Sequence, residues 1–323
     1  MKLPRRQFLH LAAGAAALPV VQRRASALDY PTRPVRIIVG FPAGSLSDTT
    51  GRLIAQALSE RLGQQFVVDD RPGAGSNIAT EFVVRAQPDG YTLLMVGDAN
   101  AKNATLYDNL NFNFIQDIVA VAGVSRTPGV LVVNPSFPAT SVPEFIAYVR
   151  ANPDKINMAS SGVGSTPHVA GELFNFMAGT RMVHVAYRGS VMPDLIGGQV
   201  QVTFTTLPSA IGFIRAGKVR ALAVTSATPS DALPGIPTIG EFVPGYEASA
   251  WVGLGAPSKT PGQIIDVLSK ASNAIVADPN MKARFADLGL EPMPMMPAEF
   301  EKFIADEIEK WAKVIKFANI KLE

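Results

Sequence analysis

The 323-residue chain contains no cysteine. That excludes disulfide staples and thiolate chemistry, and it leaves the redox compartment open. Charged residues are sparse, at 17%, and no stretch reaches the roughly 18 consecutive apolar residues that a membrane helix needs. Histidine is scarce too: beyond the first 27 residues there are only His168 and His184. His168 and Glu172 share a helix face at i and i+4, a metal-like pair, but no second His or acidic cluster lies near them in sequence. Neither a metal nor a cofactor is expected. Glycine and proline, by contrast, are frequent (27 and 25 residues), and apolar residues make up 47%, which fits an ordered α/β protein rather than a disordered chain.

The first 27 residues read as an export signal. A basic start (Lys2, Arg5, Arg6) precedes an apolar run over 8–21 and a small-residue end at Ala25-Ser26-Ala27, the three regions of a cleavable secretory peptide. Arg5-Arg6-Gln7-Phe8-Leu9 is similar to a twin-arginine signal, with Sec export as the alternative. Either route implies the periplasm, with cleavage near Ala27. The signal also carries the chain's apparent basicity. Five basic and no acidic residues fall within it, so the remainder holds 24 basic against 27 acidic residues, a net of −3. Nucleic-acid binding has no electrostatic motive here, and an anion site must work through local dipoles.

Beyond the signal the pattern is strand then helix, repeated, which implies a mostly parallel sheet with helices on its faces. The first series has strands over 36–41, 65–69 and 91–96 and helices over 48–62 and 77–85. A second has strands over 129–133, 157–160, 182–186, 200–205 and 221–225, with helices over 142–151, 166–178 and 192–196. The Pro- and Gly-rich segment 228–244 reads as an extended connector with one short helix. A strand over 251–256 and helices over 261–277 and 281–288 lead to a last helix, 297–318. Its Phe300, Ile304, Ile308, Trp311 and Ile315 recur at three-to-four-residue spacing and form a packed face.

Two turns carry the chemistry. Phe41-Pro42-Ala43-Gly44-Ser45-Leu46-Ser47-Asp48 joins a strand to a helix, and so does Ser160-Ser161-Gly162-Val163-Gly164-Ser165-Thr166-Pro167-His168. In each, Ser or Thr either caps the helix or donates a hydroxyl to an anion, and Gly lets backbone amides approach a ligand. Arg71-Pro72-Gly73-Ala74-Gly75-Ser76-Asn77 is a third turn of the same kind. Three such loops imply a cleft between two α/β halves that binds a small carboxylate. Other motifs carry less. The stretch 212–218 has P-loop spacing, yet Val219 stands where a magnesium-binding Ser or Thr is required. Gly162 and Gly164 lack the third glycine of a dinucleotide loop. A hydrolase would need His168 or His184 as base, and no Gly-x-Ser-x-Gly elbow is present.

The chain resembles the extracytoplasmic receptors of tripartite tricarboxylate transporters, the Bug receptors. The likeness runs through Tyr30-Pro31-Thr32-Arg33-Pro34, the 41–48 loop, Asp70-Arg71-Pro72-Gly73-Ala74-Gly75, Pro88-Asp89-Gly90-Tyr91, the 161–168 loop with Glu172-Leu173-Phe174, 185–189, Gly197-Gly198-Gln199-Val200, 233–238 and Pro244-Gly245-Tyr246-Glu247. It implies an α/β Venus-flytrap fold of the type II periplasmic-binding-protein class. Lobe 1 would be 28–127 plus 250–323, and lobe 2 would be 128–249, linked by strands near 125–130 and 246–254. It implies a monomer that captures an organic carboxylate and delivers it to membrane permease subunits, with no enzymatic step. Ligand contacts would come from Phe41, Ala43, Gly44, Ser45, Asp48 and Ser76 on one side, and from Ser161, Gly164, Ser165, Thr166 and His168 on the other. Asn100, Arg188 and Asp194 complete the set.

The chain departs from the family in three places. Ser45 and Ser76 stand where the family usually has Gly, and the run from Arg188 to Asp194 is about two residues short. Around Asn100, where the family often has His, Asp98 and Lys102 read first as a solvated pair at the cleft lip and second as a pair that tunes the far end of the cleft. Two other functions compete: a periplasmic ester hydrolase using Ser161 or Ser165 with His168, and a ligand sensor for a signalling partner.

Overall fold

Val35–Val39 (β1) reads Val-Arg-Ile-Ile-Val, an apolar run buried at four of five positions, as a strand covered on both faces must be. It pairs in parallel with Phe66–Asp70 (β2) and Thr92–Gly97 (β3). The structure is a computed structural model that describes residues 29–187 and 189–322; the export-signal reading and Arg188 lie outside the described residues. The architecture belongs to one unit, Pro31–Glu323.

The helices after these strands are Leu46–Leu62 (α1), Asn77–Val84 (α2) and Asp98–Leu106 (α3), followed by the single turn Phe114–Asp117 (α4). Ser45 caps α1, and Gly63 ends it in the left-handed conformation at φ 72°, where a Cβ would be strained. Ile118–Thr127 (β4) then crosses to a second sheet. That sheet contains Gly129–Val133 (β5), Asn157–Ser160 (β6), Val183–Ala186 (β7), Val202–Thr206 (β8) and Arg220–Val224 (β9). Its helices are Val142–Ala151 (α5), Thr166–Ala178 (α6), Met192–Ile196 (α7) and Leu207–Arg215 (α8). The chain returns through Ala250–Pro257 (β10) and ends with Gly262–Ala277 (α9), Pro279–Asp287 (α10), Glu291–Met295 (β11) and Pro297–Phe317 (α11).

The strand orders are β11-β4-β10-β3-β1-β2 and β7-β6-β8-β5-β9. Neither sheet is mostly parallel, which corrects the sequence expectation. β10 runs antiparallel to both β3 and β4, because it enters the first sheet from the second one. β5 is antiparallel to β8 and β9 for the corresponding reason. The sequence reading placed a linking strand near 125–130 but did not see that β4 begins at Ile118, and eight of its ten residues are buried.

The crossings are tied together. Only Pro128 separates β4 from β5. Thr225, just past β9, accepts from the Gly129 amide at 2.9 Å and donates to the Ala248 carbonyl at 2.5 Å, so the outgoing and returning strands share one side chain. Nearby, Arg126 donates to Glu291 at 3.0 Å and lies 3.6 Å from Glu247. α11 packs across this junction, touching α3, β4 and α6. Its Phe300, Ile304, Trp311 and Ile315 are buried, as the spacing predicts. Between them Glu307, 6% exposed, accepts from the indoles of Trp251 and Trp311, each at 2.9 Å, and pairs with Lys310. A buried carboxylate is tolerable only with such donors around it.

Candidate functional site

The turns at 41–48 and 161–168 are one device built twice. In the first, Gly44 at φ 81° precedes Ser45, the cap of α1; the Gly44 amide donates to Asp48 Oδ2 at 2.7 Å, and the Asp48 amide donates back to Ser45 Oγ at 3.3 Å. In the second, Gly164 at φ 74° precedes Ser165, the cap of α6; the Gly164 amide donates to His168 Nδ1 at 3.1 Å, and the His168 amide donates to Ser165 Oγ at 3.4 Å. Each turn therefore has a left-handed glycine, a serine cap, and a side-chain acceptor four residues after the glycine. With the turn locked from behind, the amides of Leu46 and Ser47 in α1, and of Thr166 in α6, have no acceptor within their helices. Those groups and the helix dipoles favour an anion.

The second turn rests on a histidine stack. The His168 and His184 rings lie 3.5 Å apart with 11° between planes, and His184 Nε2 is 2.6 Å from Ser160 Oγ. Burial, and then the neighbouring His184, lower the His168 pKa from 6.5 to about 3; burial lowers that of His184 too. His168 is therefore neutral at ordinary pH, as its role as acceptor for the Gly164 amide requires. The unfolded chain protonates this ring near 6.5 and the folded one only near 3, so its contribution is complete above 6.5 and is lost as pH falls through that window. Glu172, 3.9 Å from His168 Nε2, has its carboxyl pKa raised by burial and titrates in the opposite sense. We expect the fall in melting temperature between pH 6.5 and 4 to be shallower in His168→Asn than in the parent, measured by calorimetry; equal slopes would count against the neutral-acceptor role.

Both turns line a cleft of about 630 Å³. Of the residues the sequence nominated, Phe41, Ser45, Ser161, Gly164, Ser165 and Thr166 line it. The other described ones are not among its lining residues, and Arg188 lies outside the described residues. Asp48, 3% exposed, holds Gly44 and pairs with Arg52 at 2.7 Å, and His168 holds Gly164. Ala43 and Gly44 are exposed and do not line the cleft. Ser76 is buried against Gly40 at φ 81°, a conformation that suits the glycine usual there. Asn100 accepts from the Gly97 amide at 2.9 Å and donates to Thr80, so it caps α3. Asp194 accepts from the Tyr187 hydroxyl at 2.7 Å.

The pair read as solvated is not. Lys102 is 3% exposed; its Nζ donates to Asp98 Oδ2 at 2.7 Å and to Thr166 Oγ1 at 2.9 Å, and Thr166 Oγ1 donates to the same Asp98 oxygen at 2.5 Å. α3 of the first lobe is thereby joined to the N-terminus of α6 in the second. The sequence reading missed α3 altogether. Its Ala99, Lys102, Asn103 and Leu106 all line the cleft, but with Lys and Asn among the four this face offers no apolar stripe to read. Ser190, Thr205 and Ser209 were missed as well, and nothing in their local sequence marks them.

The hydrolase arrangement is not formed. Ser165 Oγ donates to the Gly162 carbonyl at 2.7 Å, and His168 uses Nδ1 for Gly164. The close Ser–His contact is Ser160 with His184, and Ser160 is fully buried.

A family model described as the tripartite tricarboxylate transporter family receptor matches residues 50–320. The chain belongs to this family. Protein BugT of Bordetella pertussis is 34% identical over 320 residues, covering 98% of this chain and 97% of BugT. Among solved family structures, an R. palustris protein with adipate has a TM-score of 0.75 at 36% identity, covering 90% of this chain and 99% of its own. MatC from Rhodopseudomonas palustris with bound malate has a TM-score of 0.71 at 29% identity, covering 88% of this chain and all of its own. The receptor fold is thus the two-lobed one, with the family's ligand cleft between the lobes.

Proposed function

We propose that this receptor captures a small organic carboxylate in the periplasm, between lobe 1 (28–127 plus 250–323) and lobe 2 (128–249), and presents it to the membrane subunits of a tripartite transporter. The observation that carries this reading is the pair of matching turns, one on each sheet, facing one cleft with first-turn amides that lack helical acceptors. The related structures with adipate and malate support a carboxylate as the group that such turn amides hold, and leave the rest of the ligand open. The lobes would swing about Pro128 and the 246–249 return, and a ligand touching both jaws favours closure by its differential affinity.

A thermal-shift screen of the purified protein against mono-, di- and tricarboxylates, aromatic acids and acidic amino acids tests this. A true ligand at a hundredfold excess over its Kd adds about 2.7 kcal/mol to folding stability and raises the melting temperature. Failure of every carboxylate to do so would overturn the reading.

A further inference from the structure

We infer that Asp98 sets the specificity of the cleft, selecting carboxylates whose second polar group is a hydrogen-bond donor and rejecting those whose second group is another carboxylate. This rests on the carboxylate reading above and deepens it.

Asp98 opens α3 and lines the cleft with its side chain 17% exposed. Its Oδ2 accepts a hydrogen bond from each of two groups, the Lys102 ammonium at 2.7 Å and the Thr166 hydroxyl at 2.5 Å. Those two groups are what a ligand carboxylate would seek at this point: a cation, and a hydroxyl on the first turn of α6. A carboxylate of the chain already occupies them. Lys102 closes the triangle by donating to Thr166 Oγ1 at 2.9 Å, and its side chain is only 4% exposed, so it cannot swing out to meet a second anion in water.

A ligand anion arriving here has two choices. It can displace Asp98 and leave that carboxylate without its cation, or it can lie beside Asp98 and repel it; both weaken binding. A donor fares differently. Asp98 Oδ1 accepts no hydrogen bond from the described residues and is absent from the fully buried atoms, so its lone pairs are open to an amide, hydroxyl or ammonium on the ligand.

Calorimetric titration with length-matched pairs tests this: succinate against its monoamide, and adipate against its monoamide. In the parent protein the monoamide is expected to bind about tenfold or more tightly than the diacid of the same length, the size of one charge-assisted hydrogen bond. Asp98→Asn removes the competing charge, releases Lys102 and offers an N–H, so it should bring the ratio to one or invert it. A diacid that binds the parent as tightly as its monoamide, or a ratio that Asp98→Asn leaves unchanged, overturns the inference while the carboxylate reading survives. If neither length binds in either form and the screen above is also blank, both fall. Should Asp98→Asn not fold, the ratio in the parent decides alone.

Discussion

Glu307→Ala is expected to destabilise the protein by about 3–5 kcal/mol, because it strands the donors that one buried carboxylate now satisfies. The two indole N–H groups, on Trp251 and Trp311, each reach Glu307 Oε2 at 2.9 Å, and both tryptophans are about 1% exposed. Neither can find water in its place. Lys310 is less constrained, being 25% exposed and already donating to the Glu247 carbonyl at 3.2 Å. Glu307→Gln retains an oxygen for the indoles and should lose roughly half as much, since one neutral acceptor replaces a charged one. Urea unfolding followed by far-UV circular dichroism measures both. A loss below about 1 kcal/mol for the alanine variant would show that the junction is held by packing alone.

Asp48→Ala should leave the fold intact and cost the site about 2- to 12-fold in carboxylate affinity, the equivalent of one lost hydrogen bond at about 0.5–1.5 kcal/mol. The Gly44 amide loses its acceptor, Arg52 loses one of its two acidic partners while keeping Asp70 at 2.9 Å, and the turn presenting Ser45 loosens. Ser165→Ala removes the cap of α6 and the hydroxyl that holds the Gly162 carbonyl at 2.7 Å, and caps of this type contribute about 1 kcal/mol. It should weaken binding by about fivefold. Asp48→Asn, which keeps an acceptor for Gly44, should recover much of the loss and so separate the hydrogen bond from the charge. Unchanged calorimetric affinity in both Asp48→Ala and Ser165→Ala would mean that these turns do not hold the ligand.

Local pattern alone makes part of this legible. Ser45, Ser165, Gly63 and the apolar stripe of α11 declare themselves because caps and packed faces are set within a few residues of chain. Six of the nominated site residues line the cleft for the same reason: they belong to the turns, and turns are local. What stayed hidden depends on pairing across long separations. β4 and α3 carry no turn punctuation at the positions that matter, and the reversed direction of β10 follows only from its entering the first sheet from the second. Asp98, Lys102 and Thr166 were all visible as residues, but their meeting spans up to 68 positions, and a Lys four residues after an Asp looks the same whether solvated or sealed. Asp48 and His168 were nominated as ligand contacts because they follow the turns; in the fold they brace the turns from behind.

Trp251 and Trp311 are the only tryptophans in the chain. Their indoles are fixed to one carboxylate, that of Glu307, where the returning strand meets the last helix. All indole emission from this protein therefore originates at this one junction, and the closure proposed above would be reported optically by the native chain if it disturbs that shared carboxylate, with no dye attached and no residue near the ligand altered.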